Sequence, residues 1–249
     1  MEAYELIIHF KSPTMTAREY LDFSKNILIR LAEFDSIFRD LFGWGTKANA
    51  RRQIDPSLND FYEIVFKQIE DKTIAYENPD PDNKNFTLDS KCFIGYGNSY
   101  SNTTRKKDGQ ITVSIEAGKD TQTGILIIEF PECNFIRFNE YAYVRSLFQK
   151  CIQMLNPVYG YIISDAIIEL NNADRNESEI GWFTYLGEKN ILNILPDYIY
   201  KEELENGTLF LLSKDIPDVS NRETEYKIKE IRKSLMKKNL LNIKNHINK

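Results

Sequence analysis

The chain has 249 residues, 42% of them hydrophobic, with 32 Lys and Arg against 37 Asp and Glu. That is enough apolar material for one large domain or two small ones, and no run reaches the roughly 18 apolar residues of a membrane span. The formal charge is −5, yet residues 222–249 hold nine basic and three acidic side chains, so the rest carries a net −11. An acidic body of this kind disfavours nucleic acid and favours basic partners.

Tyr4, Leu6, Ile8 and Phe10 alternate with Glu5, Ile7 and His9, the period of a strand with one face more buried. Pro13 breaks it, and Thr14 or Thr16 is placed to cap a helix. Apolar positions at Tyr20, Phe23, Ile27, Leu31, Phe34, Phe38 and Leu41 predict one long amphipathic helix. Gly43-Trp44-Gly45 is expected to end it, since glycine takes left-handed angles cheaply. Asp55-Pro56-Ser57 is expected to open a second helix through about Asp71, with Phe61, Ile64, Val65 and Ile69 on its apolar face. Residues 78–85 (NPDPDNKN) read as a loop.

Three strands are predicted next, at 91–96, 110–117 and 124–130. The turns between them are Gly97-Asn98-Ser99, Lys107-Asp108-Gly109 and Gly118-Lys119-Asp120, the pattern of an antiparallel meander. Asn139 opens a helix carrying Val144, Leu147, Phe148, Cys151 and Leu155, and Pro157 stops it. Residues 159–163, 183–186 and 208–212 read as strands, with a helix-like segment between the last two. Residues 223–238 form the last predicted helix. No repeat or linker interrupts the chain. The expectation is therefore a single α+β domain over residues 1–249, with helices packed on a mostly antiparallel sheet.

Chemistry is sparse. Cys92, Cys133 and Cys151 are odd in number and irregular in spacing, which predicts buried free thiols in a reducing compartment. The amino terminus has neither a basic n-region nor a long apolar stretch, so a cytoplasmic protein is expected. His9 lies in a strand and His246 in the basic end, and neither neighbours a nucleophile or metal-ligand pattern. Gly95-Tyr96-Gly97 lacks the third glycine of a dinucleotide site and reads as a strand ending in a turn. Asp80 and Asp82 lack a calcium-loop pattern downstream. No metal site, cofactor or catalytic group is assigned.

The most specific stretch is Gly181-Trp182-Phe183-Thr184-Tyr185-Leu186-Gly187, preceded by the acidic residues Asp174, Glu177 and Glu179 and followed by Asn206-Gly207-Thr208. A tryptophan between glycines is most often a core or turn plug. Taken in order, several segments resemble the immunity protein 52 family of bacterial polymorphic toxin systems. They are GWFTYLG, Leu195-Pro196, Asn206-Gly-Thr-Leu-Phe-Leu-Leu-Ser213, Asp218 to Asn221 with the closing helix, and upstream the helix ending at Trp44. Position 46 is Thr where the family has glycine, and Gly45 follows Trp44 directly.

The resemblance implies a non-enzymatic immunity protein that binds a cognate toxin, typically a restriction-endonuclease-like nuclease delivered by a type VI secretion apparatus. Trp44, Gly181, Trp182, Tyr185 and Gly207 are then structural motif residues. A DNA-cutting toxin presents a basic groove, and Asp165, Glu169, Asp174, Glu177 and Glu179 are the candidate toxin-binding face, opposed by Arg175 alone. No nucleic acid or membrane partner is expected, and the oligomeric state is open. Two alternatives stand beside this reading. One is a metal-dependent hydrolase or nuclease with dispersed carboxylates, and the other an adaptor using the basic run from Arg232 to Lys238.

Overall fold

The computed structural model describes residues 3–44, 52–77, 86–103, 109–131, 136–174 and 177–242. The loop expected at 78–85, with Asp80 and Asp82, lies outside the described residues. So do Gly45, Lys107, Asp108, Cys133, Arg175 and the basic end with His246. The fold is α+β. In chain order its elements are β1 (Glu5–Lys11), α1 (Ala17–Phe34), β2 (Phe42–Trp44), β3 (Arg52–Gln53), α2 (Phe61–Glu77), β4 (Tyr96–Ser101), β5 (Thr112–Ala117) and β6 (Thr123–Glu129). Then come α3 (Tyr141–Leu155), β7 (Tyr159–Ile163), α4 (Asp165–Asn171), β8 (Phe183–Leu186), β9 (Tyr200–Leu204), β10 (Gly207–Leu211) and α5 (Arg222–Met236). The chain divides into two compact units, Met1–Phe10 with Glu129–Lys249, and Lys11–Ile128.

In the first unit the strand order is β1-β7-β8-β10-β9, each neighbouring pair antiparallel. The register places Ile8, Gly160, Tyr185, Leu209 and Glu202 in one row across the strands. Side chains opposite one another share a face, and α3 meets this one. Phe148 packs edge-on to Phe183 at 6.1 Å, and Arg145 Nη2 donates to both Glu202 carboxylate oxygens at 2.8 and 2.9 Å. α3 ends before Pro157, as the sequence predicts, and Asn156 caps it at φ 44°. α5 buries Ile228, Ile231 and Leu235 and packs against α4.

In the second unit the order is β3-β2-β4-β5-β6. The pairs β2–β3, β2–β4 and β4–β5 are antiparallel. Thr16 and Glu19 form a reciprocal capping box at the start of α1, which satisfies two otherwise orphaned backbone donors. The buried Tyr20 of α1 donates its hydroxyl to the Ile115 carbonyl at 2.9 Å.

Several sequence expectations are corrected. α1 stops at Phe34, not at Gly43. Asp35 is extended (φ −150°), and its side chain accepts from Ile37 N–H to cap a short 3₁₀ turn, Ser36–Phe38. Phe38 and Leu41 are still buried, but from turns rather than from a helix. Gly43 and Trp44 belong to strand β2, Trp44 lying opposite Ser99. The second helix begins at Phe61 because Asp55 accepts from Ser57 N–H while Leu58 takes a left-handed φ of 56°.

The strand expected at 91–96 begins only at Tyr96, and Gly97-Asn98-Ser99 lies inside β4 rather than in a turn. Asn98 is tolerated there because its amide donates to Gln68 Oε1 at 2.7 Å and accepts from Lys72 Nζ at 3.0 Å. A buried amide with partners behaves like any other core group. The helix-like segment after Gly187 is a series of turns leading into β9, held where Lys201 Nζ donates to the Leu195 and Pro196 carbonyls.

Candidate functional site

The GWFTYLG and Asn206–Ser213 segments, which carry part of the family resemblance, lie together. β8 and β10 are paired, Phe183 opposite Leu211 and Leu186 opposite Thr208. Trp182 is buried. Its backbone N–H donates to Ile162 O at 2.7 Å, its carbonyl accepts from Leu212 N–H at 3.0 Å, and its indole Nε1 donates to Ser213 O at 3.0 Å. The ring meets Tyr4 at 5.7 Å and Phe183 at 5.1 Å, both edge-on, the geometry that aromatic quadrupoles favour. The two motif glycines are there for space. A Cβ at Gly181 would run into the Ile162 carbonyl oxygen, and one at Gly207 into the Leu186 carbonyl and the Tyr185 hydroxyl. Tyr185 is buried, which pushes its hydroxyl up to about 12.

Next to this core lies α4. It has seven residues, too few to be stable alone, so packing must hold it. Ile167 is buried, and Asn171 is clamped at the far end. Its amide donates to Ile167 O (2.8 Å) and Ile180 O (2.9 Å), and accepts from Ile180 N–H (2.8 Å). The opposite side faces solvent. Asp165, Ile168, Glu169 and Asn172, spaced i, i+3, i+4 and i+7, are all exposed, so they share one helix face. Asp174 comes next, also exposed.

The five acidic residues expected to act together separate into two groups. Asp165 and Glu169 are exposed on this face and Asp174 is exposed beyond its end, and among the described residues none of the three forms an ion pair. Glu177 instead pairs with Arg232 of α5, which is buried and also donates to Ser178 O at 3.1 Å. Glu179 is half-buried. Burial raises its carboxyl above the ordinary 4.5, Arg232 opposing and Glu177 adding to the rise. Arg232, the first residue of the basic run, is thus a buried ion-pair partner rather than an exposed cation.

Two acids that the sequence did not single out join the exposed group. The Phe130 N–H donates to Tyr4 O at 2.8 Å, which brings Glu129 beside Glu5. The Glu5 carboxyl is raised above 4.5 by burial first, then by repulsion from Glu129 and from Asp165. Among the described residues, none of Glu5, Glu129, Asp165 and Glu169 forms an ion pair with a cation. The alternation of β1 showed that Glu5 points away from the core. Only the folded chain shows which carboxylates it faces.

Cys92 and Cys151 are buried, and burial lifts the Cys151 thiol to about 12. Among the described residues no group of three His, Cys, Asp or Glu is placed to hold a metal ion. No described helix is long and apolar enough to cross a membrane.

No family model matches the chain, and no curated protein matches it. Among solved structures it is similar to a Pseudomonas aeruginosa T6SS protein, with 14% sequence identity and a TM-score of 0.49. The match spans 92% of this chain and 73% of that one.

Proposed function

We propose that this chain is an immunity protein. In this reading it binds a cognate bacterial toxin, a basic, restriction-endonuclease-like nuclease domain of a type VI secretion system, and neutralises it by contact without turnover. The supporting observation is the crowding of Glu5, Glu129 and Asp165, with Glu169 alongside and no cation among the described residues paired to any of them. Like charges held together by the fold destabilise it, so a basic partner would relieve the repulsion as it docks. The exposed Ile168 within this face, at 41% accessibility, supplies an apolar contact among the charges. The order of the GWFTYLG and NGTLFLLS segments, which pair as neighbouring strands, adds the family resemblance to the electrostatic case.

The test is co-expression with the neighbouring reading frame, followed by affinity pull-down and a growth assay. Rescue from that frame's toxicity with a stable one-to-one complex is expected. Toxicity without rescue or complex would defeat the reading. Within a complex, the double reversal Asp165→Lys/Glu169→Lys is expected to weaken binding at least ~10-fold, mainly by slowing association, and to flatten its salt dependence. Unchanged affinity and salt slope would remove this face from the interface.

A further inference from the structure

The second unit contains a cleft of about 490 Å³ that the toxin-binding reading does not use. Its walls are Ile69 and Lys72 of α2, residues 94–99 running into β4, Ser114 and Glu116 of β5, Lys119, and Ile127 of β6. Small-ligand sites have this make-up, apolar walls with a few convergent polar groups.

Lys72 is the unusual member. It is half-buried, and its ammonium donates to two neutral acceptors, Gly97 O at 3.1 Å and Asn98 Oδ1 at 3.0 Å. An ammonium has three N–H groups, so one remains. Among the described residues no carboxylate lies within ion-pair distance of it, and the Glu116 carboxylate that shares the cleft is bonded to Lys119 at 2.7 Å. Burial holds the Lys72 ammonium below its ordinary value, with Glu116 pulling the other way. Ser99 and Ser114 present a hydroxyl pair 2.8 Å apart. One hydroxyl donates to the other, which leaves one O–H to donate outward.

We propose that this cleft binds a small monocarboxylate with an aliphatic body. The carboxylate takes the third Lys72 N–H, and the body lies against the isoleucines that line the cleft, Ile69, Ile94 and Ile127. A dianion such as phosphate fits less well. Lys119 is committed to Glu116, and the Glu116 charge faces the same space, so among the described residues that line the cleft one free cation is available for one negative charge.

The test uses the full chain without any toxin, so its outcome is independent of the immunity reading. Hexanoate is titrated against isoleucine-methyl-labelled protein, with hexanamide as the neutral isostere. Saturable shifts at Ile69, Ile94 and Ile127 are expected, with hexanamide at least ~10-fold weaker. Lys72→Met is expected to erase the preference for the acid. Because Lys72 also bonds to β4, a second variant is needed in case the first fails to fold. Ser114→Leu fills the cleft while leaving Lys72 in place, and it is expected to abolish binding of both probes. The proposal is overturned by an absence of saturable shifts with hexanoate, by equal binding of acid and amide, or by wild-type binding in Ser114→Leu.

Discussion

Arg232 and Glu5 show how one fold treats charge in two ways. Arg232 is buried and depends on Glu177 for its counter-charge. Removing one member of such a pair leaves the other uncompensated in a poor solvent for ions. Glu177→Ala is therefore expected to cost about 3 kcal/mol, read as a lower denaturation midpoint at unchanged m-value, and Glu177→Ala/Arg232→Met to cost less than the single change. Glu5 is the opposite case, a carboxyl whose folded-state value is raised by burial and by its acidic neighbours. The folded state then holds its proton more tightly than the unfolded chain does. That contribution is present below 4.5 and is lost as pH rises through the raised value. Glu5→Gln should accordingly raise the melting temperature relative to wild type at about pH 7 but not at about pH 4. An equal effect at both pH values would refute the electrostatic cause.

At the scale of elements, the β8–β10 pair depends on Gly181 more than on any hydrogen bond. A Cβ there would meet backbone, the Ile162 carbonyl, rather than a side chain that can turn aside. Gly181→Ala is expected to destabilise by about 1–3 kcal/mol through forced backbone displacement. Thermal unfolding with Trp182 fluorescence would report both the loss and any change in indole packing. α1 and α3 are legible in the sequence because each has a long apolar period and a signal at one end, Thr16 ahead of α1 and Pro157 behind α3. The structure adds the partners that complete the ends, Glu19 for α1, Asn156 for α3 and Asn221 for α5. β9 was not legible. Its residues, Tyr200 to Leu204, include three consecutive charged side chains. Charge is common on an edge strand, where it discourages pairing with other chains, but it mimics a loop. α4 was missed for a related reason, since seven residues give barely two turns of periodicity.

For the molecule as a whole, chain order matters. The first unit is discontinuous, with Met1–Phe10 joining Glu129–Lys249. Within it β1 pairs with β7 over five residues and, with Tyr4 just ahead of it, buries Leu6 and Ile8. Three such side chains contribute on the order of 5 kcal/mol, comparable to the net stability of a domain. A fragment of residues 129–249 is thus expected to fail to fold cooperatively, as judged by chemical denaturation. The same fragment with residues 1–10 appended through a flexible linker should recover a cooperative transition. Recovery without the appended residues would show that β1 is dispensable.

The α+β class, the alternating burial of β1, the apolar faces of α1 and α3 and the strands around Trp182 are readable from the chain alone. Those features arise from local periodicity and from end signals, which are written in consecutive residues. Tertiary structure alone decided that Asn98 sits inside a strand, because Gln68 and Lys72, some thirty residues away, satisfy its amide. It also decided which of the described acids pair with a cation. Glu177 and Asp174 are three positions apart and look alike in sequence. Yet one neutralises a buried guanidinium supplied by α5 while the other stays in solvent, since a charge acquires its role from whatever the fold places beside it.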